Sequence, residues 1–398
     1  MNFEDTEQAM YYLRHYFDPD FRHTQLSPAQ EPDGSVNPRY LGYVQNVVAG
    51  QVLAELVDLD AHQDAARDSR FIYQGKHLPI GPNCAPHGEN PDKIISLVNG
   101  YVFYNEGLIS VKRLLNVRSN LGFHTGNIFF VGDVAVHGDV QTGFALQAAN
   151  ILVKGHIESS KVKGSGDVVC LQGIRGSDES SFSDNPEKNP DIDRPLPNTL
   201  VEAGGNLRLP FCERVQLRAR GNIIIDGSCL HSTIYVGGNL VIKGRLQGGT
   251  VVANGLVYVE GRIGGEYGDP TRIMMGYDPF HFLKLQKTES QIAYFKERKS
   301  FFESMSARNQ VMEQEYAYRL NLVDRKLDVA LRNHKSLWEG FTLDERFSTR
   351  CRIVAHDAVM PGFEIYIGRT FHKTLNMDSD LTFFLEDDEI RTHRNTKR

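Results

Sequence analysis

Four aspartates sit next to glycine in the middle of this chain: Asp133, Asp139, Asp167 and Asp226. Carboxylates clustered in a fold could hold calcium while a basic residue abstracts a proton, as pectate-lyase-like enzymes do on polysaccharides. Here each lies at a turn, where aspartate bonds its own backbone and is common for that reason alone. His124, His137, His156 and His231 could supply metal ligands or acid/base groups. They share no spacing, and the simpler reading is surface histidines on turns. Gly132 and Gly138 are six apart, which suits a hexapeptide acyltransferase coil, but the later steps of 16 and 17 residues are not multiples of six. The run GRIGGEYGD at 261–269 has the glycine density of a phosphate loop without its Gly-Lys-Ser/Thr ending. Cys84, Cys170, Cys212, Cys229 and Cys351 are scattered singly with no Cys-x-x-Cys pair. They read as free thiols filling a core in a reducing compartment, not as zinc ligands. The expectation is a protein that is not an enzyme, with no catalytic residue, no cofactor site and no metal site.

Bulk properties agree. The 398 residues carry 44 basic and 50 acidic side chains, a net charge of −6. No domain-wide basic excess exists to displace counterions from nucleic acid, so nucleic acid is not an expected partner. The N-terminus lacks a basic segment followed by an apolar run, and no stretch approaches 18 consecutive apolar residues. These features imply a soluble, cytoplasmic protein with no membrane span, large enough to fold around two or three modules without disulfides.

Residues 5–17 place Met10, Leu13 and Phe17 at helical spacing and predict a short amphipathic helix. A Pro- and Gly-containing loop follows at 23–39. The apolar spacing of the segment around VVAGQVLAEL suits a helix, but also two strands around a tight turn at Ala49-Gly50, and strands are the favoured reading. The segment resembles the half-motif of biotinyl- or lipoyl-carrying domains, but lacks their lysine-bearing hairpin. From Phe71 to Val117, apolar patches alternate with turn signals, and Asn99-Gly100 and Glu106-Gly107 read as hairpin-like turns between β-rich runs. Residues 40–120 therefore read as a small β-rich domain.

From Gly126 to Gly265 a turn of Gly with Asn or Asp precedes three to five residues of Val, Ile and Leu, over and over. Counted through Gly205, Gly221, Gly238 and Asn254 the steps are 16, 17 and 16, and Ala149 to Gly166 is 17. Such a period marks a solenoid of stacked coils, because one coil cannot bury its own apolar face. Asn206, Asn222 and Asn239 recur in register and predict a ladder of stacked side-chain amides. The Ser-, Asp- and Pro-rich stretch at 173–200 breaks the period and reads as an insertion from one corner.

After Asp269-Pro270 the pattern turns helical. Leu285, Ile292, Phe295, Phe302 and Met305 line one run; Met312, Tyr316, Leu320, Leu327 and Leu331 line the next, with a bend at 306–310. The pattern suits an antiparallel helical hairpin or one long helix of coiled-coil type, in which Lys299 and Ser306 fall at would-be core positions. Short strands around Pro361-Gly362 and in LTFFLEDDEI predict a final pair closing the solenoid's end, which would otherwise be an open sheet edge.

The coil TGNIFFVGDVAVHGDVQTGFALQA, the recurring AGGNL and GGNLVIKG, the charged helical run and the closing VMPGFEIYIG and FFLEDDEI together resemble bacterial flagellar assembly protein A and its relatives, from about Phe71 to Ile390. That family is similar in its β-helix to the C-terminal domain of the cell-division inhibitor MinC. The resemblance implies a right-handed solenoid and a non-enzymatic cytoplasmic protein tied to flagellar placement and its regulation. The expected fold is mainly β: a single-stranded right-handed parallel β-helix at 121–270 with the insertion 173–200. A small N-terminal α+β domain occupies 1–120, a helical coiled-coil-type arm 271–340 and capping strands 341–398. The expected role is a scaffold that binds other proteins. The alternatives are a self-assembling, cytoskeleton-like or MinC-like solenoid that forms a homo-oligomer and, furthest from the pattern, a carbohydrate-active enzyme.

Overall fold

The computed structural model describes residues 10–23, 37–59, 68–177, 199–265, 270–308, 313–340 and 351–395, with Leu26 and Pro28. Contacts divide the chain into two units, 1–205 and 206–398. Their secondary structure is mainly β.

In the first unit a five-stranded antiparallel sheet runs in the order Ile72–Gln74, Met10–His15, Val52–Asp58, Lys93–Ser96, Cys84–Pro86. Residues 10–15 are thus a central strand, not the helix that the spacing of Met10, Leu13 and Phe17 suggested. Tertiary pairing decides it: Tyr11 to His15 align with Asp58 to Ala54, and Leu13 is fully buried beside Leu53 and Ile94. Residues 5–9 of that expected helix lie outside the described residues. The two strands flanking Ala49-Gly50 are present, but they do not pair with each other. Asn46–Val47 joins Gly100–Asn105, and Val52–Asp58 joins the five-stranded sheet. The turn at Glu106-Gly107 closes a hairpin, with both residues at positive φ (53° and 78°), as a two-residue connection requires, whereas Asn99-Gly100 does not, since Lys93–Ser96 and Gly100–Asn105 pair with other strands.

The coils of this unit begin at Leu114, twelve residues before the visible repeat. Leu114–Val117, Asp133–Val136, Ile151–Val153 and Val168–Cys170 form one parallel ladder. Ile128–Phe129, Ala145–Ala148, Lys161–Gly164 and Leu200–Ala203 form a second. His156–Glu158 pairs with Gly173–Arg175, so residues 173–175 are a strand of a coil and not the start of the insertion. Lys161 aligns with Leu200, and the Thr199 hydroxyl donates to the Arg175 carbonyl at 3.4 Å. The interruption therefore leaves and re-enters at one corner; its interior, 178–198, lies outside the described residues.

The second unit is built in the same manner. Leu207–Leu209, Ile223–Ile225, Leu240–Ile242, Val257–Val259 and Arg352–Val359 stack in parallel. Gln216–Ala219, Cys229–Val236, Leu246–Ala253, Thr271–Met275 and Glu364–Ile367 do likewise. The outer residues of each short strand, such as Ile223 and Ile225 or Leu240 and Ile242, are fully buried. Side chains alternate across a strand, so two of every three enter the core and stack on their counterparts above and below. Antiparallel strands then close the end: Asp378–Glu386 on Arg352–Val359, and Thr370–Lys373 on Glu364–Ile367. The tail thus adds parallel strands to both ladders before it caps them.

Between those coils rise two helices, α1 (Pro279–Arg308) and α2 (Glu313–Glu339). They are antiparallel neighbours, since His281 Nε2 meets the Leu337 carbonyl at 2.8 Å and Lys299 pairs with Asp324 at 2.8 Å. The connection at 309–312, including Met312, lies outside the described residues. On α1 the inward positions are Leu285, Thr288, Ile292, Phe295, Lys299 and Phe302; on α2 they are Tyr316, Leu320, Val323, Leu327, Ala330, His334 and Leu337. Both follow alternating steps of three and four. Leu331, an expected seam residue, is instead 42% exposed and Ala330 takes its place at 4%. Two successive steps of four drift off the stripe facing α1. Lys299 keeps its seam position because Asp324 meets its ammonium group.

Candidate functional site

Several coil corners turn on a Gly-Asn or Gly-Asp pair, among them 205–206, 221–222 and 238–239, and the geometry explains both letters. Asn206 Oδ1 accepts the Asn222 backbone N–H (3.0 Å), Asn222 Oδ1 accepts that of Asn239 (2.8 Å), and Asn239 Oδ1 that of Leu256 (2.8 Å). The ladder expected as stacked amides therefore runs from side chain to main chain, with one amide–amide bond, Asn222 Nδ2 to Asn206 Oδ1 at 3.3 Å. Glycine stands in front at Gly166 and Gly238 because the amide oxygen of the previous coil fills the space a Cβ would occupy there. At Gly238 that Cβ would stand 2.6 Å from Asn222 Oδ1, and at Gly166 it would overlap Asn150 Oδ1. Gly255, not Asn254, is the structural equivalent of Gly238, since its N–H donates to the Gly238 carbonyl; the last step is therefore 17.

The same device occupies the suspected calcium ligands. Asp133 Oδ1 accepts the backbone and side-chain N–H groups of Asn150 (3.1 and 2.8 Å), and Asn150 Oδ1 accepts the Asp167 N–H at 2.9 Å. At a second corner Asn120 Oδ1 takes the Asp139 N–H and Asp139 Oδ1 takes the His156 N–H, at 2.9 and 2.7 Å. Asp226 lies between Arg208 (2.9 Å) and Lys243 (2.8 Å), whose hydrogen bonds hold its carboxyl below the usual carboxylate range. These aspartates bind the coils to one another.

The histidines are likewise dispersed. His124 is exposed, His137 rests 3.3 Å from the Lys154 ammonium, His156 lies 3.7 Å from Asp139, and His231 occupies a corner at φ 46°. Among the described residues no three His, Cys, Asp or Glu side chains are grouped to hold a metal ion. All five cysteines are buried. Cys212 and Cys229 stand in register on adjacent coils, and the thiol–thiol hydrogen bond with Cys229, together with burial, pushes the Cys212 thiol up. Burial raises Cys84 to about 11. Such thiols are poor nucleophiles. Of GRIGGEYGD, 261–265 form a coil corner in which Ile263 bridges Leu246 and Val359; residues 266–269 lie outside the described residues.

Two features have no clear signal in the sequence. His15 is packed against Phe71 (4.3 Å between ring centroids), Phe17 and Tyr104, with no partner for its buried Nε2 among the described residues. Burial, reinforced by Arg70, lowers its pKa to about 4. The other is the face of α2 turned away from α1, where Tyr318, Leu322 and Val329 are exposed among Arg319, Arg325, Lys326 and Arg332. The 3–4 pattern of α2 is legible, but which stripe α1 covers is not.

No helix among the described residues is long and apolar enough to cross a membrane. Comparison with curated proteins and with solved structures gave no match. A family model described as the flagellar assembly protein A beta solenoid domain matches residues 113–390, well over half of the chain. Its start agrees with the first coil strand at Leu114 and lies past the resemblance expected from Phe71. Stacked coils, their glycine corners and this match together place the chain in the flagellar assembly protein A β-solenoid family.

Proposed function

We propose that the protein is a non-enzymatic cytoplasmic scaffold acting in flagellar assembly, or in the placement and regulation of flagella. Its body would be a single-stranded right-handed parallel β-helix, with the helical pair as a coiled-coil-type arm that offers surface to other proteins. The observation that carries this reading is the use of the chemically suggestive groups. Asp133, Asp139 and Asp167 accept backbone N–H groups of the next coil or donate their own to the previous one, and Asp226 is held between two cations. A rigid solenoid whose acids are spent on stacking is suited to holding partners in place. Membership of a flagellar assembly family supports the setting.

The test is deletion of the gene in a flagellated host, with flagella counted and located by electron microscopy and complementation by the full chain. Altered number or position restored by the wild type, and equally by an Asp133→Asn/Asp139→Asn variant, is the expected result. Unchanged flagella, or glycan cleavage by the purified protein that this variant loses, overturns the proposal.

A further inference from the structure

Coil corners use their polar groups internally, whereas α2 leaves one side unused. Its inward positions meet α1, but Tyr318, Leu322 and Val329 on the other side are 67%, 39% and 49% exposed. Spaced i, i+4 and i+11, they fall within about 40° of one another around the helix and extend over about 16 Å. An apolar stripe of this spacing fits the side of a second helix laid along it.

The rim of the stripe is mostly basic. Arg319, Arg325, Lys326 and Arg332 are exposed around it. Arg319 pairs within α2 with Glu315, whereas Arg325, Lys326 and Arg332 make no ion pair among the described residues. The nearby acids do not balance them: Asp324 is drawn to Lys299 of α1, leaving Asp328 for this stretch. Four cations around three apolar side chains on a chain of net charge −6 form a local basic patch against the overall balance. Nucleic acid would not use the apolar line, and three side chains of this size are a slight anchor for a bilayer.

We propose that this outward face of α2 docks an acidic amphipathic helix of a partner protein, its apolar residues on Tyr318, Leu322 and Val329 and its carboxylates on Arg325, Lys326 and Arg332. The interface would be sensitive to salt, because its charged contacts lie at the rim. The inference rests on the scaffold reading and specifies the surface through which the scaffold works.

A displayed library of amphipathic helices, with randomised flanking charge, is selected on the full chain and counter-selected on the Leu322→Glu/Val329→Glu variant. The expected result is enrichment of helices whose apolar stripe is bordered by Glu and Asp. An enriched helix, made as a fluorescent peptide, should bind about tenfold more weakly to Arg325→Glu/Lys326→Glu and to the milder Tyr318→Ala/Leu322→Ala, with unchanged helical circular dichroism. No enrichment, enrichment of neutral or basic helices, or equal binding to both variants overturns the proposal. So does flotation on phosphatidylserine vesicles lost in Arg325→Glu/Lys326→Glu, which would make the partner a membrane. A concentration-dependent dimer in light scattering, abolished by Leu322→Glu/Val329→Glu, would also overturn it, by making the partner a second copy. If selection fails while deletion still alters flagella, the scaffold works through another surface; if both fail, the functional reading falls with it.

Discussion

The repeating coils and the parts that break the repeat manage side chains in opposite ways. In the coils the residues that repeat have stacking tasks. Val, Ile and Leu enter columns, glycine clears space at corners, and Asn or Asp joins one coil to the next. The N-terminal sheet and the helical pair fold around ordinary cores and leave groups over: a half-buried imidazole at His15 whose Nε2 has no hydrogen-bond partner among the described residues, and a basic apolar face on α2. Periodicity explains residues through folding, so residues that folding does not consume are the better guide to function.

The largest effect should come from the columns. Ile242 is fully buried between its counterparts Ile225 and Val259. Ile242→Ala should cost about 2–5 kcal/mol in urea unfolding, since packed coils on either side restrict collapse of the cavity. A loss below about 1 kcal/mol would mean the columns are not close-packed, and the contrast would break there.

His15 gives the next effect, through pH. Its pKa falls from 6.5 to about 4 on folding, so the unfolded chain takes up the proton first. Stability from this group is complete above pH 6.5 and is lost as pH drops towards 4. Partial exposure reduces the loss to about 1.5 kcal/mol. Arg70 holds Asp20 and Asp68 below the usual carboxylate range, so they do not contribute in that window. Unfolding midpoints should therefore slope between pH 6.5 and 4 in the wild type and flatten in His15→Phe; equal slopes would remove His15 from the account.

Asn222→Ala should cost about 1–2 kcal/mol, because the Asn239 N–H loses its acceptor. The same measurement on Asn206→Ala should agree with it, as both oxygens serve the N–H of the next coil. A clear difference would show that the rungs of the ladder are not equivalent. At the small end, Leu322→Glu should change stability by less than about 0.5 kcal/mol, being exposed on the outer face of α2. A larger loss would mean that this face is covered within the chain.

Several of these features can be read directly from the sequence, because they are local. The Gly-Asn corners at 205–206, 221–222 and 238–239 recur in sequence as they do in space, since each coil repeats the same turn with the same constraints. The 3–4 spacing of Leu285, Ile292 and Phe302 likewise announces α1. Less visible is Leu114–Val117, which serves as a coil strand without a glycine corner of the repeating type. At 173–175 turn-like residues conceal a paired strand.

By itself the sequence determined the solenoid period, the residues filling its columns and corners, the presence of helices after residue 270 and the lack of clustered metal-ligand motifs. All follow from short-range rules of alternation, turn chemistry and spacing. Tertiary structure alone decided that Met10–His15 is a strand, because its neighbours come from Val52–Asp58 and Ile72–Gln74, far along the chain. It alone decided that Asp133 and Asp139 are acceptors for the next coil, since the donor belongs to a residue about 17 positions on. It also decided which side of α2 is left open. Amphipathic spacing limits the faces a helix can bury, but only the partner helix selects one.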